Sequence, residues 1–362
     1  MTDQPFPRLA LASWDHAWLT RNDARQGPYR QLAQCLDALV ERGYNALAID
    51  AFPHLVASRA DGVVIDRFQV RPAQRATVQV MPRRSLLELT RLAHQRGLRL
   101  WLGSAFLEDA EARRSFVRRP GDFVDIWSQT LNLLKHEGLL EAVVAVDFCR
   151  HFPLPPAAYG ASRAIFGSHP RNLLGPRVFW SRGAEQRTEE YLLEVPRKLR
   201  ALFPEIAFGV SANVFSSRAL RRLDTSELDF FDQHLWLDDD PMFALASGRL
   251  LKRASATLHR QVAALAWRSR RDLWQRHLSE QIRQHHDFAR VRRLQPVLGA
   301  GYIRLKDENH AWLREISEFV VETASECGVP VLCPAVQARP HGGPLWQDIS
   351  WQRSLNALIT HR

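Results

Sequence analysis

Short apolar runs bounded by turn residues alternate along this chain with stretches in which apolar residues recur every three or four positions. That alternation is the pattern of strands separated by amphipathic helices. The runs predict strands at Leu9–Ser13, Ala46–Asp50, Leu98–Gly103, Ala142–Asp147, Ile206–Ser211, Phe230–Leu237, Val297–Tyr302 and Val329–Cys333. Most are apolar throughout, as parallel strands covered on both faces are. The helical stripes include Leu32, Leu36, Leu39 and Val40 before Gly43, Leu86, Leu89, Leu92 and Ala93 before Gly97, and Ile126, Thr130, Leu133 and Leu134 before Gly138. A glycine after each stripe is a helix C-terminal signal.

Strand and helix in alternation build either a doubly wound sheet or a barrel, and eight repeats point to a single (β/α)8 TIM barrel, an α/β fold in one domain over residues 1–362. Two stretches read as insertions. Residues 151–180, rich in Pro, Gly and Ser, form a long loop after the fourth strand, and residues 252–295 form a long Arg- and His-rich helical stretch between the sixth and seventh strands.

The length of 362 residues, with 46% hydrophobic and 24% charged residues, suits a large folded core and excludes disordered, collagen-like and disulfide-scaffold classes. The net charge of +10 raises a nucleic-acid or polyanion partner as a question. The arginines are scattered in pairs, however, with no zinc-finger, helix-turn-helix or RNP-type pattern, so nucleic acid is not the expected ligand. Four cysteines stand far apart without CxxC spacing, which indicates neither a zinc site nor a disulfide framework. No basic segment precedes a long apolar run at the N-terminus, and no run reaches the length of a membrane span. The expected location is the cytoplasm, with no membrane association.

In a barrel of this kind the chemistry sits at the C-terminal ends of the strands. Trp14, Asp15, His16 and Trp18 follow the first strand. Asp50, Phe52 and His54 follow the second, and Asp147, Cys149, Arg150 and His151 the fourth. Asn213 follows the fifth strand, Asp232, His234 and Trp236 alternate along the sixth, and Tyr302, Arg304 and Lys306 end the seventh. Gln337, Arg339 and His341 follow the eighth. Flat aromatic rings beside hydrogen-bonding carboxylates suit a sugar. The substrate-binding candidates are therefore Trp14, Asp15, His16, Asp50, Phe52, His54, Arg150, Asn213, His234, Trp236 and Tyr302. Asp15 and Asp50 could instead cap the segments that follow them, and Asp147, ending an apolar run, needs a partner that Arg150 could supply. His16, His54, His151 and His234 lack the short spacings of a metal site, so neither metal nor cofactor is expected.

The segments Ser13-Trp14-Asp15-His16-Ala17-Trp18-Leu19 and Glu41-Arg42-Gly43-Tyr44-Asn45-Ala46-Leu47-Ala48-Ile49-Asp50-Ala51-Phe52-Pro53-His54-Leu55 resemble the start of the sugar-binding cellulase-like proteins related to clan A glycoside hydrolases. Asp232-Gln233-His234-Leu235-Trp236 and Gly343-Pro344-Leu345-Trp346-Gln347-Asp348-Ile349-Ser350-Trp351 are similar to the family's sixth-strand and C-terminal stretches. The resemblance implies glycoside hydrolysis by two glutamates, an acid/base in an Asn-Glu pair after the fourth strand and a nucleophile ending the seventh. In a retaining mechanism the two carboxyls stand about 5 Å apart. This chain has Arg150-His151 at the first place and Gly299-Ala300-Gly301 near the second, with no glutamate between Glu280 and Glu308.

The expected function is thus a carbohydrate-binding barrel without the family's catalytic glutamates, its partner an oligo- or polysaccharide that could be acidic. Alternatives are an active carbohydrate enzyme using Asp147, His151 or Asp232 in altered roles, and a polyanion or nucleic-acid binder.

Overall fold

The structure is a computed structural model, and it describes residues 6–14, 16–23, 28–59, 62–67, 76–154, 159–167, 180–248, 255–302, 311–334 and 344–361. The described strands, in chain order, are β1 (Leu9–Ser13), β2 (Ala46–Asp50), β3 (Val63–Arg67), β4 (Ala76–Val80), β5 (Arg99–Gly103), β6 (Val143–Asp147), β7 (Ala207–Ala212), β8 (Phe230–Gln233), β9 (Leu235–Trp236), β10 (Gln295–Leu298), β11 (Gly301–Tyr302) and β12 (Val331–Leu332). Eight of them close a barrel in the order β1-β12-β10-β8-β7-β6-β5-β2. Every pairing in it is parallel. These are the eight predicted strands, and helices separate them as the apolar stripes require.

Two predicted strands are each cut in two. At Gly299 the backbone N–H turns out of the ladder and donates to Asp232 Oδ1 at 2.7 Å. Pairing of β8 with β10 ends nearby, at Val297 opposite Asp232. It resumes above the barrel as the separate β9–β11 ladder, with Leu235 opposite Gly301 and Trp236 opposite Tyr302. An antiparallel hairpin, β3 with β4, was not foreseen. Its described side chains bury only Val63 and Val80, too little alternation to stand out in the sequence.

The glycine signals hold: Gly43, Gly97 and Gly138 take φ of +80°, +69° and +67°, the left-handed conformation that ends a helix. The first insertion carries a helix at Tyr159–Phe166, and the second is two helices, Ala256–Ser269 and Arg271–Arg292, broken at Arg270. No described helix is long and apolar enough to cross a membrane.

Successive strand residues face alternately into the barrel and out to the helices. The interior holds Leu9, Leu11, Ala46, Ala48, Trp101, Ala145, Phe230, Val297 and Val331. The Trp101 and Phe230 rings meet at 4.5 Å. Room for them comes from Gly209, where a Cβ would lie 2.4 Å from the Phe230 carbonyl oxygen and 2.7 Å from its ring. The same alternation carries the next inward positions to the C-terminal mouth: Ser13, Asp50, Gly103, Asp147, Ser211, Asp232 and Gly299. Hydrophobic filling therefore stops one layer below the mouth, and the mouth layer is polar.

Because Trp101 is 2% exposed at the centre of this plug, Trp101→Ala is expected to cost about 3–5 kcal/mol. Urea unfolding followed by circular dichroism measures it, and a loss below about 1 kcal/mol would remove Trp101 from the interior.

Candidate functional site

Three carboxylates stand in the mouth layer on alternate barrel strands: Asp50 on β2, Asp147 on β6 and Asp232 on β8. All are buried, at 1%, 2% and 3% exposure, so each needs partners in place of water. Asp50 accepts from the backbone N–H of Phe52 at 2.9 Å through one oxygen and from that of Ala105 at 2.8 Å through the other. It ties the loops after β2 and β5 together. This is the capping arrangement considered for Asp50 in the sequence.

Asp147 Oδ1 accepts from the backbone N–H groups of Cys149 and Ser211, both at 3.2 Å. Burial dominates its acidity and pushes its pKa up to about 6, with Asp232 adding to the rise while the Ser211 hydrogen bond, Arg150 and His234 oppose it. The expected partnership with Arg150 is electrostatic, and the hydrogen bonds to Asp147 come from Cys149 and Ser211. The Arg150 side chain lies over Gly103, where a Cβ would stand 2.8 Å from the guanidinium Nε. Gly103 is paired with both Asp50 and Asp147, so the missing side chain opens a slot for the arginine above two carboxylates. No hydrogen bond from the guanidinium to a described residue is present, and Arg150 is only half-buried.

Asp232 anchors the third group. Its Oδ1 takes the Gly299 N–H, and its Oδ2 lies 3.2 Å from His234 Nε2. His234 Nδ1 is in turn 2.6 Å from His151 Nε2, with the two rings edge to face at a centroid distance of 4.7 Å. Since a carboxylate accepts, the network assigns the proton on His234 to Nε2. His234 Nδ1 then accepts from His151 Nε2–H. His151 adopts φ of +56°, the left-handed region that a non-glycine residue enters at a cost. Its backbone N–H donates to Ser211 Oγ at 3.0 Å, which holds the turn there. Gly299 is required by this arrangement, because a Cβ there would stand 2.4 Å from Asp232 Oδ2.

Three sequence candidates need correction. Trp14 and Phe52 are fully buried, at 0% exposure. Trp14 packs edge to face on Tyr29 at 5.0 Å, and Phe52 packs on Trp18 at 5.9 Å. A ring enclosed on both faces cannot stack on a sugar, so these are core residues. His54, 4% exposed, bonds through Nε2 to the Leu107 carbonyl oxygen at 2.8 Å and lies against Phe106. Burial lowers its pKa and keeps it neutral, so it pins the β5 loop from behind the mouth.

Of the others, Asn213 caps the following helix, its Oδ1 accepting from the Ser216 N–H at 3.2 Å. His16 and Trp236 are half-buried at the rim. Asp15, Arg304, Lys306, Gln337, Arg339, His341 and the Tyr302 side chain lie outside the described residues. Sequence reasoning missed Ser211, Gly103 and Gly299. Ser211 interrupts an apolar strand and was legible, whereas a glycine that admits a neighbour's side chain carries no local mark. Among the described residues no three His, Cys, Asp or Glu side chains converge to hold a metal ion. An apolar groove of about 400 Å³, lined by Met242, Leu245, Val262, Leu265 and Trp274 among others, shares no residue with the mouth.

A family model described as sugar-binding cellulase-like matches residues 11–360. None of the curated protein sequences matches the chain. Among solved structures, a candidate glycoside hydrolase from Parabacteroides distasonis ATCC 8503 is similar with a TM-score of 0.82 at 22% identity, over 98% of this chain and 94% of that one. The endo-1,4-β-mannanase from Rhizomucor miehei superposes with a TM-score of 0.56 at 9% identity, over 100% and 97% of the chains. The endo-1,4-β-D-mannanase from Thermotoga petrophila RKU-1 gives 0.53 at 10%, over 90% and 87%. At these identities the likeness is one of fold: a glycoside-hydrolase-like barrel.

The raised pKa of Asp147 makes a stability prediction. Folded Asp147 holds its proton up to pH about 6 against an ordinary value of 3.8, so the folded state binds more protons across that window and stability falls as pH rises through it. The loss is on the order of 3 kcal/mol by pH 7. Asp147→Asn keeps the Oδ1 acceptor and removes the charge. Denaturant unfolding should find the variant gaining on the wild type between pH 4 and pH 7, and equal pH slopes would refute the assignment.

Proposed function

The chain belongs to the sugar-binding cellulase-like family, and from that premise we propose a single-domain carbohydrate-binding barrel that takes an acidic oligo- or polysaccharide at its C-terminal mouth and no longer performs hydrolysis with a pair of glutamates. The observation that carries this reading is the sign of the groups facing outward. Arg150 and His151 stand where the family resemblance places Asn-Glu, and the carboxylates beneath them are buried and held by backbone N–H groups or by His234. A carboxyl-bearing sugar finds a guanidinium without a hydrogen-bonding partner among the described residues, in a protein of net charge +10.

The aromatic contribution to such binding is proposed for Trp236 rather than Trp14, because Trp236 is at the rim and Trp14 is in the core. Loss of the glutamate pair rests on Arg150-His151 and on Gly299-Ala300-Gly301, and it makes the protein a candidate pseudoenzyme for glycoside hydrolysis. No disulfide joins Cys35, Cys149, Cys327 or Cys333, which suits the cytoplasm as its place of action.

Calorimetry against matched neutral and uronate-containing oligosaccharides tests the reading. Arg150→Ala is expected to weaken uronate binding at least tenfold, with the wild-type affinity falling as salt is raised. Preference for neutral glycans, or an Arg150→Ala affinity equal to wild type, would overturn the acidic ligand. Failure to bind any glycan would overturn the carbohydrate reading itself.

A further inference from the structure

The connections after β5 and β6 carry a second basic and aromatic surface outside the mouth layer. The single helical turn Arg113–Phe116 lies in the first connection and the helix Tyr159–Phe166 in the second, and they pack as one block. Gly160 makes this contact possible, because a Cβ there would lie 2.2 Å from the Val117 carbonyl oxygen. Tyr159 is held between two guanidinium groups, Arg114 at 4.5 Å and Arg163 at 5.5 Å from its ring centre. The Tyr191 hydroxyl, from the helix Arg182–Leu202, donates to the Arg118 carbonyl oxygen, and the Tyr191 ring packs on Phe152 at 5.3 Å. Phe152 follows Arg150 and His151 in the chain, and the Arg150 N–H donates to the Ser104 carbonyl oxygen at 2.8 Å. The block is thus fixed to the segment that carries Arg150.

Its outward face joins an open aromatic ring to uncompensated cations. Phe116 is 69% exposed. The arginines around it fall into two groups. Arg113 pairs with Asp109 and Glu111, and Arg114 with Glu108, so these serve the fold. Arg118, Arg119 and Arg163 are exposed, and none has a carboxylate within ion-pair distance among the described residues. The stretches flanking the Tyr159–Phe166 helix that lie outside the described residues, 155–158 and 168–179, contain no Asp or Glu in the sequence. Resting on the acidic-carbohydrate reading above, we propose that this block is an outer subsite for the same ligand. A run of uronate residues extends from Arg150 over the rim, one sugar laying its C–H face on Phe116 while neighbouring carboxylates pair with Arg118, Arg119 and Arg163. Each repeat of such a polymer offers both an apolar face and a carboxylate, which is the pairing the block presents. The ligand is therefore a chain of several residues rather than a single sugar acid. Anchorage at Arg150 makes the second contact intramolecular, so affinity rises with chain length until the chain spans both places.

The test is calorimetry of the full-length protein with oligogalacturonates of increasing length, from the disaccharide upward. The wild type is expected to bind long oligomers at least about tenfold more tightly than the disaccharide. Phe116→Ala and Arg118→Gln, both at exposed positions, should each remove about fivefold or more of that gain and leave disaccharide affinity within about twofold. Arg150→Ala should weaken both lengths. Circular dichroism and an unchanged unfolding midpoint establish that the variants keep the fold. Equal affinity at every length, or variants that bind long oligomers as the wild type does, overturns the outer subsite and leaves the mouth reading intact. A length-dependent gain that Phe116→Ala removes and Arg150→Ala does not touch supports the block and overturns the mouth instead. Binding of no uronate at any length removes both. A single-stranded oligoribonucleotide of matching charge is the last arm: tighter binding than the uronates, lost in Phe116→Ala, would assign the block to nucleic acid and overturn the proposal.

Discussion

The mouth of this barrel depends on how Asp232 is held. A buried carboxylate at 3% exposure cannot stand without donors, and it finds them in the Gly299 N–H and the His234 ring. The first bond draws β10 out of its ladder and ends the barrel there. The second fixes His234, and through it the ring of His151. One desolvated charge thus bears on both where the β8–β10 ladder stops and how the two imidazoles are oriented.

Glycine does on this barrel what polar side chains do elsewhere. Gly299 admits the Asp232 carboxylate, Gly103 admits the Arg150 stem, and Gly209 admits the Phe230 ring one layer down. Each removes a side chain from one strand so that a larger group on a neighbour can occupy the space. Packing at interior density allows no other solution, because a single added methyl group at Gly299 or Gly209 would meet atoms at 2.4 Å. The stretch Gly299-Ala300-Gly301 both holds Asp232 and starts the β9–β11 ladder.

The change of sign at the mouth ties the sequence to the proposed ligand. Asp50 and Asp147 lie beneath Arg150, and the backbone N–H groups that satisfy them belong to the loops that form the rim. The acids are held by the architecture, and in the proposed reading it is the Arg150 cation above them that meets the ligand. Burial raises the pKa of Asp147 because its charge is sheltered from water and pressed by Asp232, and the Ser211 hydrogen bond, Arg150 and His234 offset only part of that rise.

Periodicity alone determined the eight barrel strands, the intervening helices and the glycines that end three of them, since these follow from local spacing and from the conformational freedom of glycine. The polar residues at the strand ends were also legible, and Asp147, His151, Asp232 and His234 could be named because a charge closing an apolar run stands out. Tertiary structure decided what each one faces. Trp14 and Phe52 read like sugar platforms, but the loops fold over them and they belong to the core; His54 turned to a backbone carbonyl; His151 turned back on His234, 83 residues away in sequence. Such outcomes depend on which neighbour desolvates or satisfies a side chain once the barrel has closed, and closure joins strands that no local window contains.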